Sequence, residues 1–288
     1  MHVMHVTQDL VIQAADVATA DLKALHVLSG ATGIARINTV AHQAFRLASG
    51  TTAARGAVAA HCAKAGLDFA YVRSGRQFGD YGLLAMDMDS TLITIECIDE
   101  IADFTGRKPE VAAITASAMR GEIDWPESLR QRVSLLAGLD ESVLQRVYDE
   151  RLRLSPGAET LIAAAKKHNV RLLLVSGGFS FFTERLRSRL GIDYAYSNML
   201  ETIDGKLTGR VIGPLCDADG KAAHLRETAV GLSLSLEDCI AIGDGANDLK
   251  MMSAAGLSIA YHAKPLVQAA ASVAINHVGL DGVVALFA

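Results

Sequence analysis

With 288 residues, half of them hydrophobic and a fifth charged, the chain can bury a sizeable core and is too apolar to be disordered. A formal net charge of -5 leaves no basic surface, which argues against nucleic acid as a partner. No run of about 18 uninterrupted apolar residues offers a membrane span, no basic-then-apolar leader opens the sequence, and the four scattered cysteines Cys62, Cys97, Cys216 and Cys239 form no C-x-x-C pair, so a reducing, cytoplasmic setting is expected.

Residues 1–78 read as a small α/β unit. Met1–Val6 and Gly33–Val40 alternate like strands, Leu10–Leu28 and Gly56–Ala65 are spaced like helices, and Arg73-Ser74-Gly75-Arg76 reads as a linker. Gly82-Leu83-Leu84-Ala85-Met86 is a short apolar run, the pattern of a buried strand, and residues 82–88 are expected to form the first core strand. From Ile98 to Leu152 the spacing is helical throughout. Ile98–Phe104, Glu110–Met119, Trp125–Leu136 and Glu141–Leu152 are separated by Gly106, Gly121 and Gly138. An all-helical insert directly after a core strand can cover the carboxyl end of a sheet.

Beyond Ser155-Pro156-Gly157 strands and helices alternate. Helix Ala158–His168 leads to strand Val170–Val175 and helix Phe179–Leu190. Tyr194–Met199 and Lys206–Val211 read as a strand pair about Asp204-Gly205. Helix Lys221–Ala229, strand Cys239–Ile242, helix Asp248–Ala255, strand Leu257–Ala260, helix Pro265–Ala271 and strand Val273–Ile275 follow. This alternation predicts an α/β fold with a doubly wound parallel sheet, whose ligands bind outside the carboxyl ends of the strands. The expected division is a unit of 1–78, a sheet core of 79–97 and 153–288, and a helical cap of 98–152.

Four short motifs fall at those strand ends. In Asp87-Met88-Asp89-Ser90-Thr91, two carboxylates two residues apart at the end of a core strand are costly unless a cation offsets them. Such an aspartate can attack phosphorus, and a second carboxyl beside it can carry a proton. The ordinary alternative is a helix cap built of Asp, Ser and Thr. In Gly243-Asp244-Gly245-Ala246-Asn247-Asp248, glycines permit tight turns, Asp244 can reach the same metal, Asn247 can meet a phosphate or orient another ligand, and Asp248 is expected to support its neighbours. Ser176-Gly177-Gly178-Phe179 offers a hydroxyl and backbone N–H groups at an expected helix N-terminus, an anion site or an ordinary cap. Lys221 opens a helix, where a cation is disfavoured, which points to a separate task such as pairing with the aspartates and a phosphate.

These motifs, in this order from Tyr81 to the C-terminus, resemble those of the haloacid dehalogenase superfamily. The resemblance implies a Rossmann-like core with an inserted helical cap, Mg²⁺, and an aspartyl-phosphate intermediate. The insert narrows it. Glu96-Cys97-Ile98-Asp99-Glu100, Met119-Arg120-Gly121-Glu122-Ile123 and Ser128–Leu136 are similar to the phosphoserine phosphatase family. That likeness implies hydrolysis of O-phospho-L-serine, the last step of serine biosynthesis. It implies Asp87 as nucleophile, Asp89 as acid and base, and Asp87, Asp89 and Asp244 as metal ligands. Ser176, Gly177, Lys221 and Asn247 would hold the phosphate. Glu96 would meet the substrate ammonium and Arg132 its carboxylate, a task that suits a bidentate guanidinium. Met119 and Trp125 match apolar positions that close over the substrate, with Trp125 standing where the family usually carries phenylalanine. Gly178 and Asp248 are supporting residues. Related phosphomonoesters, phosphotransfer and a catalytically silent amino-acid-binding protein stay open as alternatives. So do regulation, packing and homodimer formation for residues 1–78.

Overall fold

The computed structural model describes residues 7–288, so the expected strand over Met1–Val6 lies outside the described residues. The N-terminal unit runs β1 (Gln8–Ala14), α1 (Thr19–Ser29), β2 (Gly33–Ile37), β3 (Gln43–Gly50), α2 (Arg55–Ala65) and β4 (Asp68–Arg73). The expected helix over Leu10–Leu28 is therefore a strand followed by a helix. All but the first residue of β1 are buried, because Leu10 and Ile12 pack against α1 and α2 while Val11 packs into the core on the opposite face, and a strand buried on both faces shows no alternation. β3 and β4 were not anticipated.

The remaining elements are β5 (Leu83–Met86), α3 (Cys97–Asp103), α4 (Lys108–Met119), α5 (Trp125–Ser134), α6 (Ser142–Glu150), α7 (Ala158–Lys167), β6 (Arg171–Phe179), α8 (Ser180–Leu190), β7 (Tyr194–Ile203), β8 (Lys206–Ile212), α9 (Ala218–Gly231), β9 (Cys239–Gly243), α10 (Leu249–Ala254), β10 (Leu257–Tyr261), α11 (Pro265–Ala270), β11 (Val273–Ile275) and α12 (Gly282–Ala285). One eleven-stranded sheet runs β2-β3-β1-β4-β11-β10-β9-β5-β6-β7-β8. The segment from β11 to β7 is parallel, and β8 closes it antiparallel.

The N-terminal unit joins this sheet through β4, where Phe69 pairs antiparallel with Ala274 of β11. Next to that pairing the buried Asp68 carboxylate accepts N–H groups of Asn276, His277 and Val278 at 2.8, 2.8 and 3.2 Å. Burial pushes its pKa up, opposed by those three donors. Arg46 of β3 pairs with Asp9 at 3.0 Å and donates to the carbonyls of Leu286 and Ala288.

Side chains alternate across the strands. Leu84 and Met86 point into a core that extends from Val11 and Ala70 of the N-terminal unit to Leu129, Val133 and Val147 of α5 and α6. Leu83 and Ala85 point to the opposite face, against α9 and α10. Each fully buried leucine of this kind contributes roughly 1.5–3 kcal/mol.

Helices α3 to α6 leave the sheet after β5. α5 starts where Asp124 accepts the Glu127 N–H at 2.8 Å, with Pro126 in its first turn. The helical segment is also tied to the β7–β8 hairpin. Gly138 donates to Leu207, Leu207 to Leu139 and Glu141 to Gly205, at 2.8, 2.8 and 2.9 Å.

Candidate active site

β9, β5 and β6 are adjacent, and their carboxyl ends deliver Asp244, Asp87 and Ser176 side by side. The chain leaves β5 toward β6 on one side and returns to β9 on the other, the arrangement that opens a crevice at the strand ends.

Asp87 extends β5, its N–H donating to Ile242 at 3.0 Å. Its Oδ1 accepts the Met88 N–H at 2.7 Å and meets Lys221 Nζ at 2.8 Å. The chain then makes a wide turn, Met88–Leu92, with non-helical backbone at Asp89 and at Ser90, whose φ is +56°. That turn lets Ser90 Oγ donate to Glu96 at 2.7 Å and Asp89 Oδ1 accept the Cys97 N–H at 3.3 Å. Burial, with the charge of Glu96 added, pushes the Asp89 carboxyl up to about 8, which favours its protonated form.

After β9 the chain folds back on itself. A Cβ on Gly243 would lie 2.5 Å from the Asp248 side chain, so glycine there makes room for that carboxylate. Asp248 Oδ2 accepts the Gly245 N–H at 3.0 Å and its Oδ1 accepts from Lys221 at 2.7 Å. Lys221 lies in the first turn of α9, set by the Asp217 cap, and is wholly buried. Burial works against its charge, but Asp248 and Asp87 more than offset this and drive its pKa upward. Asp244 accepts from Thr91 Oγ1 at 3.0 Å, and burial together with Asp248 raises it to about 6.

Carboxylate oxygens of Asp87, Asp244 and Asp248 all lie within 4.8 Å of one another. Lys221 alone leaves this trio with an excess of negative charge. Hard oxygen donors, burial and uncompensated charge together fit a divalent cation of the Mg²⁺ kind. This side-chain group differs from the expected Asp87, Asp89 and Asp244. Asp89 turns its carboxylate toward Cys97, while the turn Ala246–Asp248 brings Asp248 beside Asp87 and Asp244.

Ser176-Gly177-Gly178-Phe179 leads into a helix as expected, with Phe179 as the cap of α8, but it is also the end of a strand. β6 continues through it to Phe179, which pairs with Asn198 of β7, and the register shifts between Val175 and Phe179. The three residues thus form a bulge, and α8 begins only at Ser180. Ser176 Oγ accepts the Gly178 N–H at 2.8 Å. A Cβ on Gly178 would strike Asp89 Oδ2 at 2.7 Å, and one on Gly177 would strike the Trp125 indole at 2.8 Å. The α5 tryptophan therefore lies directly on the bulge. Asn247 is half-buried beside Gly245.

On the helical side, Arg132 is half-buried, donates to Ser128 O at 3.3 Å, and makes no ion pair among the described residues. Burial lowers its pKa against the nearby charges of Asp99, Glu96 and Asp89. Its neighbour Arg130 points away and meets Glu127 at 3.7 Å. Water reaches Glu96, yet the protein around it still lifts its carboxyl above the usual range, and its bond from Ser90 opposes this. Met119 is 67% exposed at the end of α4 and meets Lys264 Nζ through its sulfur at 3.9 Å, not the residues above. Sequence reasoning missed Thr91 and Asn198. Thr91 lay inside a recognised motif, whereas nothing near Asn198 signalled it.

The haloacid dehalogenase-like hydrolase family matches residues 84–253, and a domain of unknown function matches residues 10–58. A phosphoserine phosphatase of Polaromonas sp. is 59% identical over 210 residues, covering 71% of this chain and 89% of that protein. The unliganded crystal structure of a probable phosphoserine phosphatase from Vibrio cholerae aligns with a TM-score of 0.82 at 37% identity, over 97% of this chain and 86% of that one. A substrate-bound phosphoserine phosphatase complex aligns with a TM-score of 0.64 at 40% identity, over 68% of this chain and 93% of that one. Shared strand-end motifs and this extent of identity place the chain among the haloacid dehalogenase-like hydrolases, in the phosphoserine phosphatase family.

Proposed function

We propose that the chain hydrolyses O-phospho-L-serine to L-serine and phosphate, with Asp87 as nucleophile. The observation that carries this reading is the half-buried Arg132 guanidinium, free of any ion pair among the described residues, close enough to the acidic cluster to feel Asp89 and Glu96. A phosphomonoester bearing both an ammonium and a carboxylate would satisfy Glu96 and Arg132 while its phosphate reached Asp87.

Met88 N–H and Lys221 hold Asp87 Oδ1, which leaves Oδ2 as the oxygen to attack phosphorus. Attack forms the aspartyl-phosphate as the bond to the serine oxygen breaks. Asp89, whose protonated form is favoured, gives its proton to that oxygen and then takes one from the water that releases phosphate. Lys221, Ser176 and the Gly177 N–H stabilise charge on the moving phosphoryl group. A Mg²⁺ held by Asp87, Asp244 and Asp248 would neutralise phosphate oxygens when bound. The helices of 98–152 act as the lid that excludes water, with Trp125 closing on Gly177. All four cysteines are free and buried, which fits work in the reducing cytoplasm.

The test is phosphate release from O-phospho-L-serine and from an aryl phosphate, with Mg²⁺ and with EDTA, for wild type and Arg132→Ala. Metal-dependent release that collapses in the variant for phosphoserine alone is the expected result. Aryl phosphate hydrolysis without phosphoserine hydrolysis would overturn the substrate assignment.

A further inference from the structure

Asn198 is the one carboxamide on β7, and its side chain is completely buried. A buried amide is costly unless its donor and acceptor are both used. Here both are. Its Nδ2 donates to the Gly177 carbonyl at 2.8 Å, and its Oδ1 accepts the Cys216 N–H at 2.9 Å. The first partner lies in the bulge that carries Ser176 and Gly178. The second is the residue before Asp217, the cap that sets the turn holding Lys221.

One side chain thus ties together two loops that reach the candidate phosphate position from different strands. Sheet pairing fixes neither there: the β6–β7 ladder is interrupted between Val175 and Phe179 and resumes at Asn198 itself, and Cys216 lies beyond the end of β8. The Gly177 carbonyl, left free by that interruption, is the one the amide takes. β7 and β8 also carry the hydrogen bonds to the helical segment at Gly205 and Leu207, so the same hairpin touches both halves of the cleft.

We propose that Asn198 is a positioning residue for phosphoryl transfer, setting the separation between the Ser176–Gly178 bulge and Lys221 without touching the substrate. This rests on the phosphatase reading above. It differs from a packing role, since leucine would fill the same space and supply neither bond.

The experiment compares wild type, Asn198→Leu and Asn198→Asp. The aspartate keeps the acceptor for Cys216 but, when ionised, cannot donate to Gly177. Circular dichroism and thermal melts establish folding. The readouts are kcat and KM for O-phospho-L-serine, and inhibition by inorganic phosphate and by L-serine. Misplacing the bulge by a fraction of an ångström should lower kcat by about 10- to 100-fold. It should weaken phosphate inhibition and leave inhibition by L-serine, which meets only Glu96 and Arg132, unchanged. Should Asn198→Leu fail to fold, Asn198→Asp decides by the same readouts. Folded variants with wild-type kcat and wild-type phosphate inhibition would overturn the proposal. A wild type that releases no phosphate from phosphoserine would instead remove the reading beneath it.

Discussion

Lys221 Nζ lies 2.7 Å from Asp248 Oδ1, and neither side chain reaches solvent. A second carboxylate, Asp87, sits 2.8 Å from the same nitrogen. Removing one partner from such a pair leaves an uncompensated buried charge, typically at about 3–5 kcal/mol. Lys221→Met should therefore unfold at markedly lower urea concentration and lose turnover. Asp248→Asn, which leaves Lys221 paired with Asp87, should destabilise less. Equal stability of Lys221→Met and wild type in a urea titration would refute the arrangement.

Metal binding should depend on pH through Asp244. Its carboxyl is raised from 3.8 to about 6, and a ligand oxygen must be unprotonated. Affinity is then full only well above pH 6, is halved near that value and is lost progressively as pH falls below it. Calorimetric titration with Mg²⁺ should give binding about tenfold weaker at pH 5 than at pH 7.5. A flat profile would exclude Asp244 from the metal.

Trp125 and Gly177 form a steric pair. Gly177→Ala places a methyl 2.8 Å from the indole and should lower kcat/KM by about 10- to 100-fold. Trp125→Phe shortens the ring, so the double variant should recover most of the loss. A double variant no better than Gly177→Ala would show that the clash lies elsewhere.

Acid stability should involve Asp9. Burial alone would raise its pKa, but bonds from the Ser49 N–H, Ser74 Oγ and Arg46 prevail and hold it below 3.8. A depressed carboxyl contributes stability that is present above 3.8 and disappears as pH falls through the lowered value. Asp9→Asn should be less stable at pH 6 and show a shallower decline toward pH 3 in urea unfolding. Parallel curves for variant and wild type would rule the contribution out.

The parallel strands were legible because they lie buried as continuous apolar runs, and the Asp87 and Asp244 loops because short-range chemistry marks them at strand ends. The N-terminal unit was not. β1 is apolar on both faces and imitates a helix, and β3 and β4 acquire meaning only from their partners. The bulge at Ser176–Gly178 was hidden for the same reason, since β6 continues only because Phe179 finds Asn198 across the sheet. That Asp248 lies beside Asp87 and Asp244 was not legible, because its place depends on a turn whose direction spacing alone does not set.

The antiparallel seam between β4 and β11 has a consequence for solubility. In a chain lacking residues 1–78, β11 would become an open strand edge, and the N–H groups of Asn276, His277 and Val278 would lose the Asp68 carboxylate that receives them. Bare edges of this kind recruit strands from other molecules. Removal of residues 1–78 is therefore expected to raise self-association, which light scattering of the shortened chain beside the full one would register.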